Sequence, residues 1–313
     1  LASVCLKFEA NYRAPKTAKS EGGSPYRTAF RCGANLFPRV LVLAERQASG
    51  RLGTDASAPL VQTVRSMHKP WSALEPIRER VEEAFLRTAY LGESILPYRV
   101  FRTFEGVVPA DERGQVFDSR SALDAGHDHL ARWLTQVEEL WDEHGSGARP
   151  FRDQINYIGQ LAGQFPLPPL RVVYTKSGTL PAAALLRDEG AVVDQKLFWS
   201  KPQSDQEGYY LMAVLNSEAA RSRAEDYQSR GLFGTRDFDK VMFNLPIPLF
   251  RESETLHREL AEAGAQAEAV AANVELKEGE KFQRARKRVR DALAEDGIGG
   301  DIEKLVEKLL GPV

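Results

Sequence analysis

The chain has 313 residues, enough for one large or two ordinary domains, and 42% hydrophobic with 27% charged residues is a globular composition. Two cysteines, Cys5 and Cys32, exclude a disulfide scaffold and read as reduced thiols of a cytoplasmic protein, and no apolar run approaches the roughly 18 residues of a membrane span. The net charge of −2 is unevenly placed, with 11 Lys/Arg against 4 Asp/Glu in residues 1–70 and 9 against 15 in residues 71–150, so a near-neutral total is compatible with a basic face.

In chain order, Leu1 to Leu6 carries no signal pattern and reads as entry in mid-domain. Residues 10–28 and 47–59 are polar, Gly- and Pro-containing loops, and the apolar run Val40–Ala44 between them reads as a buried strand. Ile77, Val81, Ala84, Phe85 and Thr88 fall on one helical face and predict a helix over 75–91. Val107-Val108-Pro109 suggests a strand, followed by a polar loop over 111–119.

A second helix is predicted over 121–143, with an apolar stripe of Leu130, Trp133, Leu134, Val137, Leu140 and Trp141 and a cap from Ser121 with Asp124. Short β segments follow at 171–175, 191–193 and 197–199, then a buried helix over 208–217. Two prolines make Phe243–Pro248 extended. Beyond residue 250, Leu256, Leu260, Ala263, Ala267, Val270 and Val274 alternate by 4 and 3, a narrow seam that another helix must cover. A last helix is expected to start near Asp301.

Few residues suggest catalysis. Lys176-Ser177-Gly178-Thr179 has phosphate-loop residue types in the wrong order. Asp194-Gln195-Lys196 has the carboxylate-x-lysine form of a metal nuclease's second half-motif, with Asp188 or Glu189 as the earlier acid, but the pattern is short. His127 and His129 are two apart on a predicted helix and point about 200° apart, so they do not chelate one ion. Arg284, Arg286, Lys287, Arg288 and Arg290 form a basic run, which its acidic neighbours mark as a mixed solvated helix rather than a phosphate contact. A glycine-rich cofactor turn and a polar-Pro-Pro-aromatic loop for a flipped adenine are both missing; Pro168-Pro169 is followed by Leu170, and Gly297-Ile298-Gly299-Gly300 sits between helices.

Four segments together are more specific. Phe30-Arg31-Cys32-Gly33-Ala34-Asn35-Leu36-Phe37-Pro38-Arg39 resembles a "G-A-x-x-x-P-R" signature. Ile155-Asn156-Tyr157-Ile158-Gly159-Gln160-Leu161 resembles "N-Y-x-G-K/Q-L". Val172 to Thr179 with Ala182–Ala184 resembles "V-x-Y-x-K-S-G-T … A-A". Leu215-Asn216-Ser217, Gly231 to Lys240 and Leu245–Pro248 resemble "L-N-S", "G-x-R-D-x-x-K" and "L-P-I-P". In this order the segments resemble the C-terminal target-recognition region of N6-adenine DNA methyltransferases of restriction-modification and phage-defence type.

That resemblance implies an α+β fold, a twisted and mostly antiparallel sheet with packed helices and a helical C-terminal tail. It divides the chain into a DNA target-recognition domain over 1–250 and a helical tail over 251–313. The implied function is sequence-specific recognition of double-stranded DNA for a methyltransferase domain of the same polypeptide, outside this chain, which would bring S-adenosylmethionine; no cofactor is expected here. Other defence-system subunits are possible further partners, and no membrane is. The implied DNA-binding residues are the cations Arg31, Arg39, Lys176, Arg236 and Lys240 in Gly- and Ser-containing turns, with Ser177 and Thr179, and the amides Asn156, Gln160 and Gln164, which can pair with adenine edges. Two other readings stay open: a structural module whose helical tail holds a partner, and a metal-dependent nuclease using Asp194 and Lys196.

Overall fold

The structure is a computed structural model that describes residues 23–48, 55–66, 69–145, 147–178, 181–227, 238, 240–277 and 279–311. Among the described residues twelve short strands run in chain order as β1 (Arg31–Cys32), β2 (Ala44–Arg46), β3 (Leu60–Thr63), β4 (Arg78–Arg80), β5 (Leu86–Tyr90), β6 (Ile95–Leu96), β7 (Arg99–Val100), β8 (Phe104–Val107), β9 (Arg171–Thr175), β10 (Ala183–Leu186), β11 (Val192–Val193) and β12 (Leu197–Ser200). The helices among the described residues are α1 (Tyr26–Ala29), α2 (Ser119–Asp124), α3 (Asp128–His144), α4 (Phe151–Ile155), α5 (Asp205–Asn216), α6 (Glu218–Ala224), α7 (Thr255–Asn273), α8 (Phe282–Asp296) and α9 (Ile298–Leu310). The fold is α+β with a helical C-terminal end, and the strands divide into several small sheets rather than one.

The central sheet has the order β1-β12-β9-β10 and is antiparallel throughout. Every residue of β9, β10 and β12 is buried, which is why these segments read as near-continuous apolar runs. Alternation sorts their side chains. Val172, Tyr174, Ala183, Leu185 and Phe198 face a core built with α5, α7, α8 and α9. Val173, Ala184, Leu186, Leu197 and Trp199 face a second core shared with Tyr90, Ile95 and Val193. A third core, built on α3 and the β2-β3-β4 and β5-β8 strands, occupies the N-terminal half.

The C-terminal helices belong to the first of these cores. Leu260, Ala263, Ala267, Val289, Ile302 and Val306 pack in one cluster with Phe30, Tyr174 and Leu211, so no separate core begins at residue 251. The 4-and-3 seam of α7 is covered by α5. Gly264 sits so close to α5 that a Cβ there would lie 2.4 Å from the Tyr209 carbonyl oxygen, and the alanines of the seam permit that approach.

Four expected elements are corrected. Residues 75–91 are not a helix: they form β4, a 3-10 turn over Glu83–Phe85, and β5, which pairs with β8 in the register Leu86↔Val107. Ile77, Val81, Phe85 and Ala89 are all buried, but a spacing of four suits a strand face as well as a helix face, and the pairing partners decide. Glu82 in this segment caps α3, its carboxylate accepting from the His129 and Leu130 amides at 2.9 and 2.8 Å. The 121–143 helix is two helices, broken at Gly126 (φ +81°), and its cap is Asp118 with Ser121, not Ser121 with Asp124. Val40–Ala44 is buried throughout, yet it begins as a 3-10 turn over Arg39–Leu41 and only Ala44 enters β2. The last helix starts at Ile298, three residues before Asp301, directly after the left-handed Gly297.

No described helix is long and apolar enough to cross a membrane.

Candidate nucleic-acid interface

The segment around Gly33 explains much of the site's placement. A Cβ on Gly33 would lie 2.3 Å from both the Val193 and Asp194 carbonyl oxygens, so only glycine allows the chain to cross the β11–β12 turn there. Ala34 then donates to the Val193 carbonyl at 2.7 Å and accepts from the Gln195 amide at 2.7 Å. The Gly33-Ala34 pair is thus an architectural crossing. It hangs β1, with Arg31, on the edge of the central sheet.

Arg31 sits opposite Trp199 in register, and its guanidinium lies over the indole ring at 6.0 Å. It also donates to the Gly163 carbonyl at 3.3 Å. Together with Lys201 and the Phe165–Pro169 segment, these residues line an open groove of about 590 Å³ in which none of the lining residues is acidic. The Trp199 Nε1–H has no partner among the described residues.

More cations gather near the same sheet. Lys176 follows β9; its amide bonds the Lys196 carbonyl at 2.8 Å, and its ammonium lies 5.7 Å from the Phe198 ring centre. The Lys176 carbonyl accepts from Phe238, and Lys240, two residues on, donates its ammonium to the Arg27 carbonyl at 3.1 Å. Arg27 in turn bonds the Asn244 side chain. Arg27, Arg31, Lys196, Lys201 and Lys240 make no ion pair among the described residues. Elsewhere arginines are paired: Arg46 with Glu83 and Glu105, Arg152 with Asp118, Arg187 with Glu268.

The expected site residues therefore separate. Arg31, Lys176 and Lys240 fall around the central sheet's β1–β12 side, and Ser177 is exposed beside Lys176. Arg39 differs from Arg31 and Lys240 in being ion-paired. It forms a bidentate pair with Glu93 at 2.7 and 2.9 Å, which holds the Glu93 carboxyl below its ordinary range against the opposing effect of burial. Gln164 is 1% exposed, and both ends of its amide are committed to Val193, accepting from its N–H at 2.8 Å and donating to its carbonyl at 2.9 Å. It pins a loop to β11 and is not placed to read a base. Asn156 uses its Oδ1 to accept from the Ala162 amide at 3.0 Å, a loop brace, and Gln160 is half-buried in the same loop. Thr179 and Arg236 lie outside the described residues.

The chemistry weighed for a nuclease does not assemble. Asp194 is buried, and its carboxylate accepts from the Lys196 amide at 2.9 Å, closing its own turn. Burial pushes its carboxyl above the ordinary range. Asp188 accepts from Gly190 and Tyr90. Among the described residues no group of His, Cys, Asp and Glu is arranged to hold a metal ion. The basic run on α8 is structural: Arg286 donates to the Ile95 and Gly92 carbonyls and Arg290 to Pro181, while Lys287 pairs with Asp291 and Arg288 with Glu280. Burial lowers Arg286 to a pKa of about 10.

Sequence reasoning missed Arg27 and Lys201. Arg27 lies within a stretch read as loop, and Lys201-Pro202 comes one residue, Ser200, after the predicted 197–199 strand, where the chain leaves the sheet.

No protein-family model matches the chain, and no curated protein shows significant similarity. A solved structure, the Type IIL restriction-modification enzyme MmeI in complex with DNA, is similar over 74% of this chain at 12% identity and a TM-score of 0.49. The chain spans 29% of that enzyme's length. A likeness that distant carries no argument about this chain.

Proposed function

We propose that this chain binds duplex DNA through the cations around β1 and β12, as the target-recognition part of an adenine-N6 DNA methyltransferase. The observation that carries the reading is the set Arg27, Arg31, Lys196, Lys201 and Lys240, none ion-paired among the described residues in a protein of net charge −2. Phosphate contact is the chemistry such a set serves, since each neutralised phosphate releases counterions. The ordered resemblance of Phe30–Arg39, Ile155–Leu161, Val172–Thr179 and Leu245–Pro248 to the specificity region of such enzymes supports the same reading. Methyl transfer, with S-adenosylmethionine, belongs in this reading to a catalytic domain outside the chain. Gly297 joins α8 to α9 and Ile298-Gly299-Gly300 form the first turn of α9, so the cluster does not follow a strand and does not fit a cofactor turn.

Binding of the chain to a 30-bp duplex of mixed sequence, followed by fluorescence anisotropy across a salt titration, tests this. Arg31→Ala and Lys201→Ala should each weaken binding and flatten the salt dependence by about one unit of slope. Arg39→Ala, already held by Glu93, should leave the slope unchanged. Absence of duplex binding by the wild-type chain at low salt, or equal slopes for all variants, overturns the reading.

A further inference from the structure

The loop after α4 carries an unexplained cost. Ile158 has φ +46° and ψ +31°, the left-handed region that a β-branched residue adopts only under constraint. Glycine or asparagine would hold this turn with less strain. Ile158 is also 77% exposed, so burial returns nothing for the strain. Tyr157 beside it is 43% exposed and presents its ring to the Arg149 guanidinium, 4.5 Å from the ring centre. A single exposed apolar side chain is ordinary. Two adjacent ones on a strained and rigidly braced turn are not.

The bracing is specific. Gly159 donates to the Asn156 carbonyl at 2.9 Å, Gln160 to Tyr157 at 3.1 Å, and Ala162 to the Asn156 side chain at 3.0 Å. Four residues past Gln160, Gln164 fastens the loop to β11 through two buried hydrogen bonds. The loop runs directly into the Gly163–Pro169 wall of the groove that Arg31 and Lys201 line. The apolar tip is thus tied, through the Asn156–Ala162 bond, to the segment that lines this groove. Arg149 makes no ion pair among the described residues, and Asp153, the nearest acid in sequence, lies 3.6 Å from Arg152.

We propose that Tyr157 and Ile158 form a wedge that inserts at a base step of duplex DNA, with the Tyr157 ring and Arg149 guanidinium offering a flat stacking surface to an unstacked base. This rests on the DNA-binding reading above. Apolar side chains that enter a stack meet an unstacking cost, which is lowest where a base is already missing or unpaired. Pre-formed rigidity suits that role, because ordering the tip on contact would add to the cost.

The test compares the intact 30-bp duplex with the same duplex carrying one central abasic site. The full chain should prefer the abasic duplex by about tenfold. A Tyr157→Ala, Ile158→Asn double variant should lose that preference while binding the intact duplex within about twofold of wild type, with the same salt slope. Asparagine tolerates the left-handed turn, and neither side chain is buried, so the variant keeps its urea midpoint. A variant that retains the preference overturns the wedge, as does a wild-type chain that binds both duplexes alike; the DNA-binding reading survives either result. A wild-type chain that binds neither duplex overturns both.

Discussion

Gln164 shows how one side chain can be assigned two incompatible roles until its surroundings are known. As an amide near a DNA-like motif it is a candidate base reader. Buried, with both polar atoms on the backbone of Val193, it is a fastener. The Val193 carbonyl also accepts from Ala34, whereas the Val193 N–H donates to the Gln164 Oε1, so Gln164→Leu leaves that donor buried and unmet. The expected cost is about 2 kcal/mol, read as a lower urea midpoint with unchanged slope. A Gln164→Leu chain of normal stability that has lost only DNA affinity would return the residue to the reading surface. Arg39 teaches the same lesson with charge. The "P-R" cation looked available for phosphate, and it pairs with Glu93, a residue 54 positions away that no local pattern connects to it. Arg31, by contrast, lies exposed in β1 at the edge of the central sheet and makes no ion pair among the described residues.

At the level of elements, legibility tracked whether the deciding contacts were local. The β9, β11 and β12 strands and the α5 and α7 helices are apolar or regularly spaced segments, and each formed close to where the sequence put it; β10 was not expected. The 75–91 segment failed because its partner, β8, decides its conformation. The long 121–143 helix failed for a smaller reason: Gly126 at φ +81° lets the chain turn while preserving the apolar stripe of α3. The α5–α7 contact gives an element-scale prediction in which two effects oppose. Alanine is the better helix former than glycine by about 1 kcal/mol. A Cβ at position 264 meets the Tyr209 carbonyl at 2.4 Å, and forcing two packed helices apart costs about 1–3 kcal/mol. Overpacking should win: Gly264→Ala is expected to lower the melting temperature by a few degrees, measured by circular dichroism. A rise in melting temperature would mean that the helices are free to separate.

For the molecule as a whole, the sequence suggested a recognition domain over 1–250 and a helical tail over 251–313. The seam from Leu256 to Val274 had to be covered by something, and α5 of the same chain covers it. Removal of the residues after Glu252 should therefore uncover the buried face of α5, including Leu211, Val214 and Leu215, and leave little folded protein. Limited proteolysis and analytical ultracentrifugation check this. A monomeric, protease-resistant 1–252 fragment would contradict it. The unpaired cations were only partly legible for a related reason. Pairing is a property of the assembled surface, and composition by thirds of the chain does not reveal which arginine meets which glutamate.

The residues just before β1 are held by α5 and by residues 243–250. Ser24 bonds the backbone of Phe243 and Ile247, the Tyr26 hydroxyl donates to Glu207 and accepts from Phe250, and Phe30 stacks on Phe243 at 4.6 Å. As the polypeptide emerges during synthesis, this early stretch lacks these hydrogen-bond partners until 181 to 224 further residues have been made. Closing such distant contacts is slow, and the waiting strand edge is exposed meanwhile. Folding should thus include a late locking of the segment before β1 onto α5 and residues 243–250, which makes chaperone dependence a property of its topology.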